Sequence, residues 1–142
     1  MKYQVVMLLV FALVCNVTAG GDKAAKKELK KLEGTWALVS GEQNGKELSK
    51  EALKGAKLVI VGNKHTVNLG DETIVGTHSL DPSTKPKSID ADNVGKKHLG
   101  IYEIKGDEFK VCFAEPGKDR PKEFTAKEGS GNFVHVWKRV KK

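Results

Sequence analysis

The chain contains four histidines, the side chains best suited to acid–base or metal chemistry near neutral pH. They are His65, His78, His98 and His135. None is separated from another as His-x-His or His-x-x-x-His, so the sequence holds no local zinc motif. Neighbouring strands could still bring two or three of them together in a barrel interior. We predict no metal site and expect hydrogen-bonded or solvent-facing histidines.

Other reactive side chains do not form a catalytic pattern. Cys112 lies in the alternating segment 109–113, where no neighbouring base could activate a thiol, so we expect a covered, structural cysteine. Asp81, Asp90 and Asp92 place three carboxylates in one predicted loop region, but the EF-hand calcium motif is missing. The sequence also lacks a nucleophile elbow, a phosphate loop and a glycosidase-like carboxylate pair. We therefore predict that the protein is not an enzyme and uses no cofactor.

Short β-strands must position these side chains, because the apolar residues mostly alternate or form short runs between turn residues. Strand-to-strand spacing near ten residues is typical of an antiparallel sandwich or barrel. A closed barrel leaves no unpaired edge, and the Cys…Trp…Cys pattern of immunoglobulin sandwiches is absent. We predict an all-β fold, an antiparallel up-and-down β-barrel of about 8–9 strands. The candidate strands are 35–40, 57–61, 65–69, 73–80, 88–91, 98–104, 108–114, 123–126 and 133–140.

Two helical segments accompany these strands. Residues 22–33 carry a narrow apolar stripe and many lysines, which predicts a short N-terminal helix that ends at Gly34. Residues 49–54 predict a single helical turn with Ser49 as its N-terminal cap. We expect the first helix to pack against the barrel.

Strand alternation also indicates which side chains share a face. His135 lies on the same face as Trp137, and His65 on the same face as Val67. If these faces are internal, His65 and His135 are the polar groups best placed in a cavity. We add Tyr102 as a third candidate ligand-binding residue, although both faces of its strand carry apolar residues.

The N-terminus has the pattern of a secretory signal peptide. A basic start precedes an apolar run over 5–14 and small residues that end at Ala19, where we expect cleavage, with Gly20 as the alternative site. Ten apolar residues are too few to span a bilayer. We predict a signal peptide over 1–19, no membrane span after cleavage, and one exported domain over 20–142, periplasmic or extracellular.

The charge pattern argues against nucleic acid as a partner. The net charge is +7, but nearly all the basic residues are lysines, and Arg120 and Arg139 are the only arginines. Nucleic-acid surfaces usually combine arginine with stacking aromatics. Scattered lysine instead indicates a soluble, self-repelling surface, so we expect a monomer. Loss of Cys15 with the signal would leave Cys112 without a partner for a disulfide.

Gly34-Thr35-Trp36 resembles the Gly-x-Trp motif that follows a short helix in lipocalins and related calycins. In such proteins a basic residue near the end of the last strand covers this tryptophan, and the matching residue here is Arg139. A guanidinium on an indole face gains about 0.5–2 kcal/mol. Gly34, Trp36 and Arg139 are therefore the predicted structural signature of the barrel.

A longer resemblance covers nearly the whole predicted mature chain. Segments such as KLEGTWALVS, GTHSLDPSTKPKSID and LGIYEIKGDEFKVCFAEPGKDRP are similar to an uncharacterised lipocalin-like domain family common in planctomycete bacteria. The resemblance implies an exported, single-domain barrel with no assigned activity. Residues 90–95 form a shorter stretch than we would expect for that family.

Two functions suit such a barrel, because barrels of about eight strands either hold one small ligand or fill their interior with side chains. We expect a small apolar or amphipathic ligand. The alternative is a cell-envelope protein-interaction or inhibitor module with a filled barrel. A cavity of roughly 300 Å³ or more would favour ligand binding.

Overall fold

The computed structural model describes residues 19–141, with side chains from Asp22 onward. Most of the predicted signal peptide thus lies outside the described residues. No helix in the described part is both long and apolar enough to cross a bilayer. The elements are α1 (Ala19–Leu32), β1 (Gly34–Gln43), β2 (Lys46–Glu47), α2 (Lys50–Leu53), β3 (Lys57–Val61), β4 (Lys64–Leu69), β5 (Glu72–Asp81), β6 (Lys87–Asn93), β7 (Lys96–Lys105), β8 (Glu108–Phe113) and β9 (Phe133–Arg139).

The strands form a closed antiparallel barrel, which confirms the predicted fold class. Consecutive strands from β3 to β9 pair as neighbours, and β1 closes the barrel by pairing with both β3 and β9. The short strand β2 pairs only with the end of β1 and adds a hairpin outside the eight-stranded ring. A β-bulge between Leu38 and Ser40 shifts the register of β1 against β9 and lets β1 continue to Gln43.

The strand predicted over 123–126 is wrong. These residues are irregular, because β9 occupies the edge of β8 and β1 occupies the other edge of β9, so the ring offers no free edge there. Residues 114–132 instead cross the outer face of the barrel. The Ala126 carbonyl accepts a hydrogen bond from the Gly45 amide, and the Thr125 carbonyl accepts one from the buried Cys112 thiol.

Both predicted helices form. Ser49 caps α2, and its side chain accepts a hydrogen bond from the Ala52 amide at 3.2 Å. The first helix starts at Ala19 rather than Asp22 and ends at Leu32. Its C-terminus leads directly into β1 and places the helix across one end of the barrel.

Arg139 and Trp36 close this end of the barrel, the contact that the resemblance to lipocalins implies. Trp36 is fully buried, and its indole N–H donates to the Leu32 carbonyl at 2.8 Å. The Arg139 guanidinium lies 4.2 Å from the centre of the indole ring and donates to the Lys31 and Glu33 carbonyls. Gly34 has a φ of +133°, which favours glycine, and a Cβ there would lie 2.8 Å from Arg139 Nη1, so a larger residue would also displace the guanidinium.

A buried carboxylate from α1 forms a second link to the barrel. Glu28 accepts a hydrogen bond of 2.9 Å from the Tyr102 hydroxyl and pairs with Lys31 and Lys87 at 3.1 and 3.2 Å. Burial alone would raise the pKa of Glu28, but these three donors together hold it below its ordinary value. Burial and the neighbouring carboxylate raise the pKa of Tyr102. The helix is therefore attached through a charged, hydrogen-bonded contact as well as through Leu32.

Candidate functional site

The barrel interior holds a cavity of about 590 Å³ that opens at the end opposite α1. Its mouth lies between the α2 region, which contributes Leu48 and Ala52, and the β4–β5 turn at Gly70. The barrel is therefore not filled by its own side chains. This volume falls within the range of small-molecule sites, roughly 300–1,000 Å³.

The cavity has two chemically different walls. Strands β3, β4 and β5 supply an aliphatic wall, and strands β8 and β9 supply an aromatic wall. In the aromatic wall Phe109 pairs with Trp137 and Phe113 pairs with Phe133 across the strands. The aliphatic residues are Leu58, Ile60, Val67, Leu69 and Ile74.

All four histidines of the chain line this cavity. His65 and His135 face inward, as strand alternation predicts. We did not single out His78 and His98 as cavity residues, although alternation places His78 on one face with Ile74 and Leu80. For His98 the pattern is ambiguous, because its strand is apolar on both faces, one turned to the core and the other covered by residues 114–132.

Two of the histidines form a hydrogen-bonded chain across three strands. His65 Nδ1 lies 3.0 Å from His78 Nδ1, and His65 Nε2 lies 2.7 Å from Asn93 Oδ1. The second contact joins β4 to β6 over the top of β5, where Gly76 has no side chain to block it. The Asn93 oxygen can only accept, so Nε2 of His65 donates to it, and the bond between the two Nδ1 atoms needs a proton on one of them.

Burial keeps His78 uncharged. Desolvation and the neighbouring His65 lower the pKa of His78 to about 4, against a smaller upward effect of the Gly62 carbonyl. Its Nε2 atom is buried and has no hydrogen-bond partner of suitable geometry among the described residues. His78 therefore contributes a fixed, neutral ring to the cavity wall.

His135 lies within the aromatic wall. Its ring centre is 5.0 Å from that of Phe133 and 5.8 Å from that of Trp137. Burial lowers the pKa of His135 to about 4, so the ring is neutral at pH 7. Neither ring nitrogen has a hydrogen-bond partner within residues 22–141. His135 thus presents one N–H donor and one acceptor that the rest of the described chain leaves unused.

His98 is held by the backbone near the mouth. Its Nδ1 lies 3.1 Å from the Ala114 carbonyl oxygen. A carbonyl can only accept, so Nδ1 carries a proton, and in the neutral form of this ring Nε2 has a lone pair without a partner among the described residues. The Phe113 and Phe133 rings stand edge-on to His98, each with its centre 6.1 Å away.

Tyr102, the third residue predicted to bind a ligand, lies outside the cavity. Its ring is 1% exposed and packs against Phe109 at the closed end, where its hydroxyl is engaged by Glu28. Alternation does orient Tyr102 inward, but α1 fills that end of the barrel. The prediction failed because the sequence did not show how deeply α1 reaches.

Cys112 and the three aspartates contribute no reactive centre. Burial raises the pKa of the fully buried Cys112 thiol, which lies 3.6 Å from the Thr125 carbonyl oxygen. Asp90 and Asp92 lie on β6 rather than in a loop, and Asp90 pairs with Arg120 at 2.6 Å. Within the described part of the chain, no three side chains of the metal-binding types come together.

Comparisons with protein-family models, curated proteins and solved structures found no match to this chain. The resemblance to a planctomycete lipocalin-like family therefore stays a prediction, and the geometry of the cavity is the basis for a functional proposal.

Proposed function

We propose that this barrel binds one small, mainly apolar ligand in its interior. The cavity of about 590 Å³, walled by aliphatic and aromatic side chains, carries the proposal. This is the volume of about 20 molecules of liquid water, at about 30 Å³ each. A ligand of similar bulk would be surrounded by side chains of all the strands of the ring except for its end at the mouth.

The distribution of charge in the cavity favours a neutral ligand. Among the described residues that line it, the charged ones are Glu51 and Lys54, both in the α2 region at the mouth. Deeper polar groups are imidazoles and the Asn93 amide. An ionised group carried deep into this site would lose its hydration without meeting an opposite charge, which is costly. An amphipathic ligand would therefore keep any charged end at the mouth.

The open interior also favours this function over an inhibitor or interaction module with a filled barrel. In the same proposal, the domain is exported and acts as a binding protein rather than as an enzyme. The N-terminal pattern over 1–19 supports export. Among the described residues that line the cavity there is no serine, threonine or cysteine, and the one carboxylate, Glu51, belongs to the α2 region at the mouth, which supports a binding role.

Binding of N-phenyl-1-naphthylamine, an uncharged dye that fluoresces more strongly in apolar surroundings, tests the proposal. We expect saturable enhancement with one site per chain. Val67→Trp should abolish it, because position 67 faces the cavity opposite Leu58 and Ile74. The matched control is Val75→Trp on the exposed outer face of the adjacent strand, which should bind as wild type.

Circular dichroism and urea unfolding would establish that both tryptophan variants are folded. Equal dye binding by the two folded variants would place the dye outside the barrel. That result, or no saturable binding by the wild-type protein, would contradict the proposed function.

A further inference from the structure

The aromatic wall contains two imidazoles whose hydrogen-bonding capacity is not used by the described chain. His135 has a donor and an acceptor without partners, and Nε2 of His98 has a free lone pair once Nδ1 donates to the Ala114 carbonyl. Buried polar groups in folded proteins are normally hydrogen-bonded, so groups left open in a cavity indicate a place for a ligand or for water.

The two imidazoles both lie near the Phe133 ring. The Phe133 ring centre lies 5.0 Å from His135 and 6.1 Å from His98, so all three belong to a single aromatic cluster near the mouth. Phe113 extends the cluster, with its ring centre 5.6 Å from that of Phe133. Aromatic surfaces attract a further ring beyond what the burial of its area contributes.

The opposite wall exposes no such group to the cavity. Apart from His65 and His78, the side chains that β3, β4 and β5 turn inward are aliphatic. Both ring nitrogens of His65 are bonded, to His78 and to Asn93, and the unpaired Nε2 of His78 is buried rather than open to the cavity. A ligand with a flat ring and a polar group would therefore be best satisfied with its ring against Phe133 and its polar group between His98 and His135.

We propose that the cavity selects neutral aromatic ligands that carry a hydroxyl group, such as phenols and aryl alcohols. The hydroxyl hydrogen is donated to Nε2 of His98, and the hydroxyl oxygen accepts the N–H of His135. Both bonds are between neutral groups, in keeping with the uncharged interior. This assignment rests on the proposed function, because it requires the cavity to hold a ligand.

Three probes separate the ring from the hydroxyl: 1-naphthol, 1-methoxynaphthalene and decan-1-ol, measured by isothermal titration calorimetry at pH 7. 1-Naphthol and decan-1-ol have the same number of non-hydrogen atoms, and the methoxy compound keeps the ring but cannot donate. We expect 1-naphthol to bind roughly threefold to tenfold more tightly than 1-methoxynaphthalene, the factor for one hydrogen bond of about 1 kcal/mol. We also expect it to bind more tightly than the more hydrophobic decan-1-ol.

The His98→Phe and His135→Phe variants test the residues assigned to the hydroxyl. His98→Phe should bring 1-naphthol to the affinity of 1-methoxynaphthalene while the affinity for the methoxy compound stays within about twofold of wild type. His135→Phe should lower the affinity for both probes, because both carry the oxygen that accepts the His135 N–H. His98→Gln, which keeps a side-chain acceptor, should retain part of the preference. The matched control Lys97→Phe places the same new ring on the exposed neighbouring residue and should leave both affinities unchanged.

The inference and the proposed function fail by different results. Equal binding of 1-naphthol and 1-methoxynaphthalene, equal losses of both in the folded His98→Phe variant, no loss of either in the folded His135→Phe variant, or tighter binding of decan-1-ol would overturn the assignment. The proposed function would stand in those cases if N-phenyl-1-naphthylamine still bound and Val67→Trp still blocked it. If the dye also failed to bind, the proposed function would be overturned as well.

Discussion

The hydrogen bond from His65 to Asn93, a polar bridge that crosses β5, depends on the glycine at position 76. A methyl group at this position would collide with Asn93 Oδ1 and the Asp92 carbonyl oxygen and would lie 2.7 Å from His65 Nε2. Gly76→Ala should therefore break the contact between β4 and β6 and lower the free energy of unfolding by about 1–3 kcal/mol. Urea unfolding followed by circular dichroism measures the change.

The matched control for this prediction is Thr77→Ala on the same strand, whose side chain is exposed. Its effect should stay within about 0.5 kcal/mol. If Gly76→Ala were as stable as this control, the bridge would contribute nothing to stability.

At the scale of single residues, strand alternation predicted the directions of His65 and His135 correctly. It could not predict the bond from His65 to Asn93, because that contact joins strands that are not neighbours and depends on a missing side chain between them. Nor could it separate Tyr102 from the cavity residues. Tyr102 does point inward, but whether an inward residue meets a cavity or a helix depends on packing at the barrel ends.

Among the elements, α1 is the one whose attachment to the barrel depends most clearly on a single distant side chain. Arg139 is joined to the end of α1 through two carbonyls and lies over the Trp36 ring. Lysine cannot reproduce this fork or its stacking. We expect Arg139→Lys to lower the free energy of unfolding by about 1–2 kcal/mol and to increase hydrogen exchange at the α1 amides more than elsewhere.

The neighbouring Lys138→Arg is the control for this variant, since its exposed side chain is turned away from α1. It should leave exchange in α1 unchanged. An Arg139→Lys protein in which α1 exchanges as slowly as in wild type would show that the helix is held by Glu28 and its apolar contacts alone.

The irregular segment 114–132 is held to the outside of the barrel by Arg120. Its guanidinium donates to the Ile89 and Gly100 carbonyls at 3.0 and 2.7 Å and pairs with Asp90. Because this segment covers Cys112, Arg120→Ala should increase the rate of reaction of Cys112 with a thiol reagent such as 5,5′-dithiobis(2-nitrobenzoic acid) about tenfold or more, the factor for a loss of at least about 1.4 kcal/mol in the cost of local opening.

Lys122→Ala removes an exposed charge from the same segment and serves as the control. An equal rate in the two variants would mean that Arg120 does not hold the cover in place. This segment is held by side-chain contacts to backbone carbonyls, and such contacts leave no periodic pattern in the sequence. The sequence therefore could not identify the segment as irregular, and the strand predicted at 123–126 was wrong. The regular strands and α2 were predictable because their turn and capping residues act locally.

For the whole molecule, two buried histidines make stability depend on pH. The pKa values of His78 and His135 are about 4 in the folded protein and about 6.5 in an unfolded chain. The unfolded chain therefore binds more protons between these values, so the stabilisation is complete above about pH 6.5 and is lost as the pH falls toward 4. Lowering the pH from 7 to 5 should cost about 1–2 kcal/mol per histidine.

Urea titrations at pH 7 and pH 5 check this, since most carboxylates stay ionised at both values. His135→Phe should remove about half of the difference, because it deletes one of the two groups. An unchanged difference in a folded His135→Phe protein would contradict the buried, neutral state of this residue.

The closure of the barrel was predictable from the number, spacing and alternation of strands, but the cavity volume was not. Volume depends on which inward positions carry small residues and on how far α1 enters one end. A missing side chain does not by itself add volume: Asn93 and His65 occupy the space over Gly76, and Phe113 occupies the space beside Gly100. Such effects accumulate over all the strands and leave no local pattern.

The seal made by α1, Trp36 and Arg139 also has a kinetic consequence. With one end closed, the mouth near α2 is the one passage into the cavity within the described residues. A bound molecule must leave completely before the next can enter, so exchange is strictly sequential. The rate constant for dissociation of a bound dye should then be independent of the concentration of a competing molecule.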